Sequence, residues 1–292
     1  MPNQGGGPRG DRRGCAGESI LPTKPIERAT SMMAAVALVA TVATVASLGG
    51  REAIIEFGGD PARGVLVNLT PGARPDDPPD PSRPTVVFIH GFNPVPRLVH
   101  FTMAERLAEA VRARAGDGLN VLAWDWNAAT FESAHPRVNR ASTIHQGCLL
   151  AAALRGAGVS PGRTHLIGHS AGGIVAASAA RALALGCGEG VAQLTFLDPA
   201  SAYHDVIFRN LAAGSLARRV ENYWVPGPSA YGREVRHANV QNTRVPVPSH
   251  LFGLLSPVHS GHLYVVRWYV RTVDNPAHPA GFNTSLLLLQ EP

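Results

Sequence analysis

The chain has 292 residues, of which 45% are hydrophobic and 16% charged. That composition describes a soluble globular protein with a real core, about 240 residues of one domain behind a leader. The formal net charge of +5 comes almost wholly from arginine, Lys24 being the only lysine. The arginines are scattered singly apart from Arg12-Arg13 and Arg218-Arg219, so no basic run marks a nucleic-acid binder. Cys15 lies in the leader, and the spacing of Cys148 and Cys187 matches no zinc pattern. Two free, buried thiols are expected, with one disulfide as the alternative in an exported protein.

Residues 1–31 are rich in Gly, Pro and Arg without periodicity, the composition of a disordered basic leader. Residues 32–50 read MMAAVALVATVATVASLGG. This uncharged run is short for a bilayer span and suits the apolar region of a secretory signal, with an uncleaved membrane anchor as the alternative. Arg9, Arg12, Arg13, Lys24 and Arg28 supply its positive flank. The expectation is a secreted or membrane-anchored protein, any membrane association running through residues 32–48, with the folded domain in residues 51–292.

IIEFGG (54–59) and GVLVNLT (64–70) read as early strands, and the proline-rich stretch 71–84 as loop. TVVFIH (85–90) is short, β-branched and bounded by Pro and Gly, the pattern of a fully buried strand. Residues 101–116 form an amphipathic helix with Met103, Leu107, Ala110 and Val111 on one face. NVLAWDW (120–126) is the next strand, 140–158 a helix closed by glycine, THLIG (164–168) a strand, 171–186 a helix, and QLTFLDP (193–199) another strand. Buried strands alternating with helices predict a doubly wound, mainly parallel α/β sheet with helices on both faces.

Gly168-His169-Ser170-Ala171-Gly172 falls where a buried strand meets a helix. A G-x-S-x-G alone is weak, but this context is what a nucleophile elbow requires. Serine on so tight a turn takes a strained backbone, so Gly168 and Gly172 must lack side chains for the turn to close. Acyl transfer through such a serine also needs an oxyanion site, a base and an orienting acid. His90-Gly91-Phe92 ends a buried strand, where open α/β sheets place ligands. Gly91 permits the sharp turn, and the N–H groups of Phe92 and Ala171 are the candidate oxyanion donors. Asp198 closes the strand before Pro199 and is the favoured acid; Glu221, Asp205 and Glu234 compete with it. The base should follow the acid. Six histidines follow Ser170, namely His204, His237, His250, His259, His262 and His278. His262, directly ahead of an amphipathic run, is favoured, with His259 second.

In order, FIHGF, VLAWDW, HLIGHSAGG, TFLDPA and GHLYVVRWY resemble the pancreatic-lipase-like branch of the α/β-hydrolases, over about residues 85–273. The resemblance implies the α/β-hydrolase fold and a Ser170–His262–Asp198 triad. It also implies Phe92 and Ala171 as oxyanion donors, and favours Asp198 over Glu221. The chain departs from the animal lipases of that branch in lacking the cysteines for a closed lid and the length for a C-terminal β-sandwich. HLFGLLSP (250–257) could form a small apolar flap or pack inside. The expected activity is serine carboxylester hydrolysis, esterase or lipase-like, on a small-molecule or lipid ester through an acyl-enzyme. No metal or organic cofactor and no nucleic acid are expected; oligomeric state is left open. The alternatives are a thioesterase, peptidase or polyester depolymerase on the same triad, or a non-catalytic binding protein of the same fold.

Overall fold

The computed structural model describes residues 64–92, 100–127, 129, 136–200, 204–212, 216–226, 232–248 and 257–289. The leader, the apolar run at 32–50, the strand expected at 54–59 and most of the HLFGLLSP segment lie outside them.

Among the described residues seven strands form one sheet: β1 (Val65–Asn68), β2 (Thr85–Ile89), β3 (Asn120–Asp125), β4 (Thr164–His169), β5 (Val191–Leu197), β6 (Ala217–Trp224) and β7 (Val240–Arg244). Their spatial order is β1-β3-β2-β4-β5-β6-β7. Only β1 runs antiparallel, pairing with β3; every other pair is parallel. From β2 the chain steps outward to β3, then returns across β2 to β4 and continues the other way. The strand order therefore reverses between β2 and β4, and the crevice beyond their carboxyl ends is where such sheets bind ligands.

Helices cover both faces. Helices α1 (His100–Ala115) and α5 (Pro257–Asp274) pack together on one face, while α2 (Pro136–Gly156), α3 (Gly172–Cys187) and α4 (His204–Ala212) lie on the other. Alternation along β2 divides its side chains between two cores. Val87 and Ile89 join the α2/α3 core, Val86 and Phe88 the α1/α5 core. Each such side chain taken fully out of water contributes about 1.5–3 kcal/mol. The doubly wound architecture is as the sequence implies. Strand β7, helix α4 and the short helix α6 (Leu286–Leu289) were not anticipated, and α2 starts at Pro136, earlier than its periodicity indicates.

Small residues set the spacing of the α2/α3 layer. A side chain on Gly147 of α2 would run into the Ser178 Cβ, the Val175 carbonyl and the Ala179 amide of α3. Cys148, one residue on, turns outward; both it and Cys187 are free and exposed, which corrects the expectation of buried thiols. A small hydrophobe stays dry only on the inward stripe of a helix, and neither cysteine lies there.

Residues 281–289 are keyed into the sheet by buried polar groups. The Gly281 N–H donates to the Tyr223 hydroxyl (2.8 Å) and the Leu286 N–H to the Gln193 side-chain oxygen (2.9 Å). Thr284 Oγ1 donates to Glu221 Oε1 (2.8 Å), and Ser285 Oγ bonds to His165 Nδ1 (3.0 Å).

Candidate active site

Strand β4 runs into α3 through Ser170 and Ala171 with almost no spare backbone. Ser170 has φ 53°, the left-handed region that costs a non-glycine residue about 1–3 kcal/mol. The surroundings hold it there. Its N–H donates to the Leu197 carbonyl of β5 (3.0 Å), and its carbonyl accepts from the Ala200 N–H (3.3 Å) and the Gly173 N–H (3.0 Å). The glycine requirement is steric, as the sequence argument holds. A Cβ on Gly168 would press into the Gly172 carbonyl, and one on Gly172 into the Ile89 and His90 carbonyls. A Cβ on Gly91 would stand 2.7 Å from the Ser170 Cβ, so the β2 turn and the serine pass in direct contact. A strand, a strained serine and a helix at the switch point of this sheet have the geometry that a nucleophile elbow requires.

Asp198 follows β5, the neighbour of β4. It is 2% exposed and also carries a positive φ, 45°; aspartate is among the few side chains that tolerate this region. Its N–H donates to the Tyr223 carbonyl (2.7 Å). Its Oδ1 accepts the Val225 N–H (2.9 Å), and its Oδ2 lies 2.7 Å from His262 Nδ1. The backbone of Gly232 closes over the carboxylate so tightly that a Cβ there would strike Oδ1. Since a carboxylate can only accept, His262 Nδ1 carries the proton, which leaves Nε2 as the basic nitrogen of the neutral ring.

His262 lies in the second turn of α5 and is 8% exposed. His169, the residue before Ser170, braces it: the His169 Nε2–H donates to the His262 carbonyl (3.1 Å), and the two rings sit 4.5 Å apart. The structure thus brings Ser170, Asp198 and His262 to one rim. The competing acids are elsewhere. Asp205 is exposed and paired with Arg209 (3.2 Å), and Glu234 is exposed. Glu221 is buried three residues below the rim, where its register partner is Thr195, and is held by Arg219 (2.7 Å), Gln193 (3.0 Å) and Tyr223 (3.1 Å). The side chain of His259 is outside what the structure describes. His204 packs near Asp198; burial first, and then the Arg233 guanidinium, pull it down to about 4.

The His90–Gly91–Phe92 turn, the candidate oxyanion site, has a support that the sequence did not announce. Trp126, just past β3, donates its indole N–H to the His90 carbonyl (2.8 Å) and its backbone N–H to His90 Nε2 (3.2 Å), and its ring stacks on the imidazole at 5.6 Å. Asp125 Oδ1 approaches the same Nε2 at 3.5 Å. On the other side, His90 Nδ1–H donates to the Gly91 carbonyl (2.7 Å). In a trans peptide the C=O and N–H point in opposite directions, so fixing the Gly91 carbonyl also fixes the Phe92 N–H. Phe92 itself is 37% exposed at the rim, while Ala171 is buried. Among the described residues, no three His, Cys, Asp or Glu side chains cluster as a metal site, and no helix is long and apolar enough to cross a membrane.

No protein-family model matches the chain, and no curated protein does. Solved structures do resemble it. They include a hyperthermophilic esterase from the archaeon Pyrobaculum calidifontis (17% identity, 74% of this chain and 86% of that one, TM-score 0.37). A lidless α/β serine hydrolase from Xanthomonas campestris is similar over 75% of this chain and 96% of its own (14% identity, TM-score 0.40). Thermogutta terrifontis esterase 2, phosphorylated by paraoxon, is similar over 73% and 89% (13% identity, TM-score 0.42). Likenesses this distant carry no activity across to this chain, and they do not single out the pancreatic-lipase-like branch.

Proposed function

We propose that the protein is a serine hydrolase of carboxylic esters, with Ser170 as nucleophile, His262 as general base and acid, and Asp198 as the orienting carboxylate. The observation that supports this best is the strained Ser170 elbow standing beside a buried Asp198–His262 pair. In the proposed cycle, His262 Nε2 takes the Ser170 Oγ proton as the oxygen attacks the ester carbonyl. The carbonyl π electrons move onto oxygen, and the Phe92 and Ala171 N–H groups receive that charge, each donor contributing about 3 kcal/mol to the transition state. Collapse re-forms the carbonyl, breaks the bond to the alcohol oxygen, and passes the His262 proton to the departing alcohol. Water, deprotonated by the same nitrogen, then cleaves the acyl-serine and returns the proton to Oγ. Asp198 keeps the imidazole in the tautomer with Nδ1 protonated and offsets its charge when Nε2 is also protonated. The same reading takes residues 32–48 as a signal or anchor placing the domain outside the cytoplasm, which N-terminal mass spectrometry of the native protein decides.

The test is direct. A fluorophosphonate probe labels the wild type and leaves Ser170→Ala unlabelled, and p-nitrophenyl esters of increasing chain length then rank acyl preference. Folded wild type that takes up no probe and cleaves no ester overturns the proposal in favour of a binding role.

A further inference from the structure

Several arginine side chains in the described residues have acceptors. Arg74, Arg83, Arg209 and Arg219 pair with Asp77, Asp80, Asp205 and Glu221 at 3.1, 3.1, 3.2 and 2.7 Å. Arg163 and Arg218 donate to the Ser82 and Gly162 carbonyls. Other arginines also lack one, but Arg106, Arg267 and Arg271 converge, each of them largely exposed. They line one cleft of about 380 Å³ between α1 and α5, and among the described residues none of the three has an ion pair or a hydrogen-bond acceptor.

The fold creates this convergence from distant parts of the chain. Arg267 and Arg271 are four residues apart on α5, so they share a helix face, and Arg106 reaches the same space from α1. Ala110 and Ala113 on α1 and Val270 on α5 floor the cleft with short side chains, leaving room between the guanidiniums. Burial holds Arg267 below the ordinary arginine value, and the neighbouring Arg106 and Arg271 charges push it the same way. Glu109 and Asp274 line the cleft as well, without closing an ion pair on any of the three. Three guanidiniums thus share one cleft with two carboxylates, which leaves it an excess of positive charge.

We propose that this cleft binds a phosphate- or sulfate-type oxyanion through the guanidiniums of Arg106, Arg267 and Arg271. Planar guanidinium forks match tetrahedral oxyanions in geometry and form charge-assisted hydrogen bonds with them. Glu109 and Asp274 repel a polyanion and can accept a hydrogen bond from the P–OH of a hydrogen phosphate or from a hydroxyl on its ester. The fit is therefore a single phosphoryl group, carried by a soluble phosphomonoester or by an anionic lipid headgroup. The cleft uses none of the elbow's residues: along α5, Arg267 and Arg271 lie about 7 and about 13 Å from His262, and the proposal stands or falls independently of the hydrolase reading.

Calorimetric titration of the full chain with inorganic phosphate and pyrophosphate, at ionic strength held constant with chloride, tests the site. Co-sedimentation with phosphatidylcholine vesicles, with and without phosphatidylglycerol, separates the two sources. Saturable phosphate binding is expected, weakened about tenfold, or about 1.4 kcal/mol, in Arg267→Gln and Arg271→Gln and unchanged in Arg209→Gln. Retention on anionic vesicles that is lost in Arg267→Gln assigns the lipid source; soluble binding without retention assigns the free phosphoester. Without ligand, Arg267→Gln should unfold at no lower denaturant concentration than the wild type, because it removes a cation from between two others. Wild type that binds neither phosphate nor anionic vesicles overturns the proposal. So does binding that the α5 substitutions leave intact, or an Arg267→Gln protein that is destabilised without ligand.

Discussion

Replacing Asp198 by asparagine tests the site most sharply, because it alters charge and proton placement while sparing the backbone. Asn accepts a positive φ as readily as Asp, so the 45° at this position adds no new strain. Its amide oxygen can still accept the Val225 N–H now bound at 2.9 Å. Its amide nitrogen then faces His262 Nδ1, which today donates to Oδ2 at 2.7 Å. Two donors cannot share that contact. The imidazole must move its proton to Nε2 and loses its basic nitrogen toward the serine. The charge contributes separately. A carboxylate and an imidazolium about 4 Å apart at an effective dielectric of about 20 attract by about 4 kcal/mol, or about a thousandfold in rate. With the wrong tautomer added, kcat/KM should fall by about ten-thousandfold, the scale on which this substitution acts in serine triads. The assay is p-nitrophenyl butyrate hydrolysis, with urea unfolding as the check on the fold. A folded Asp198→Asn protein that keeps more than about a tenth of wild-type kcat/KM would show that the Asp198–His262 contact does no catalytic service.

Gly172→Ala drives a methyl into the Ile89 and His90 carbonyls; overpacking of this kind costs about 1–3 kcal/mol, read as a lower urea midpoint together with lost fluorophosphonate labelling. Trp126→Phe deletes the indole donor to the His90 carbonyl, a bond worth about 1 kcal/mol. It should lower kcat severalfold with KM little changed and loosen binding of a trifluoromethyl ketone inhibitor; a fall in urea midpoint alone would reduce Trp126 to a packing role. Burial, reinforced by Arg219, lowers His165 to about 3 from the ordinary 6.5. The unfolded chain therefore takes up this proton first as pH falls, and the stability at stake is complete above about 6.5 and lost progressively toward 3. Relative to neutral pH that is roughly 2 kcal/mol at pH 5. His165→Gln, measured by urea unfolding between pH 7 and 4.5, should flatten the slope by about one proton.

The candidate elbow and the candidate acid stand out in the sequence because local constraints wrote them. Gly168, Ser170 and Gly172 are spaced by the steric demands of one turn, and Asp198-Pro199 marks where a buried run must stop. The place of His262 ahead of a helix favours it over His259, a local signal too weak to settle the choice. It is the contact with Asp198, 64 residues away, that brings His262 to the rim. Trp126 read as the last residue of a strand, and its part in holding His90 depends on two strand ends being adjacent. The positive φ of Asp198 and the closure of Gly232 upon it left no periodic trace, since neither falls in a repeating element. The arginines at 106, 267 and 271 looked scattered for the same reason: charge clustering in a folded chain is set by helix faces, whatever the separation along the sequence.

The polar anchoring of residues 281–289 bears on how the molecule is made. This segment is translated after all seven described strands. Until it emerges, His165, Gln193 and Glu221 in the middle of the sheet lack partners that the finished protein gives them. A nascent chain can collapse its aliphatic layers early, yet the sheet's centre stays undersatisfied until this late keystone docks. Assembly should therefore finish in one closing step, after synthesis has passed Leu289.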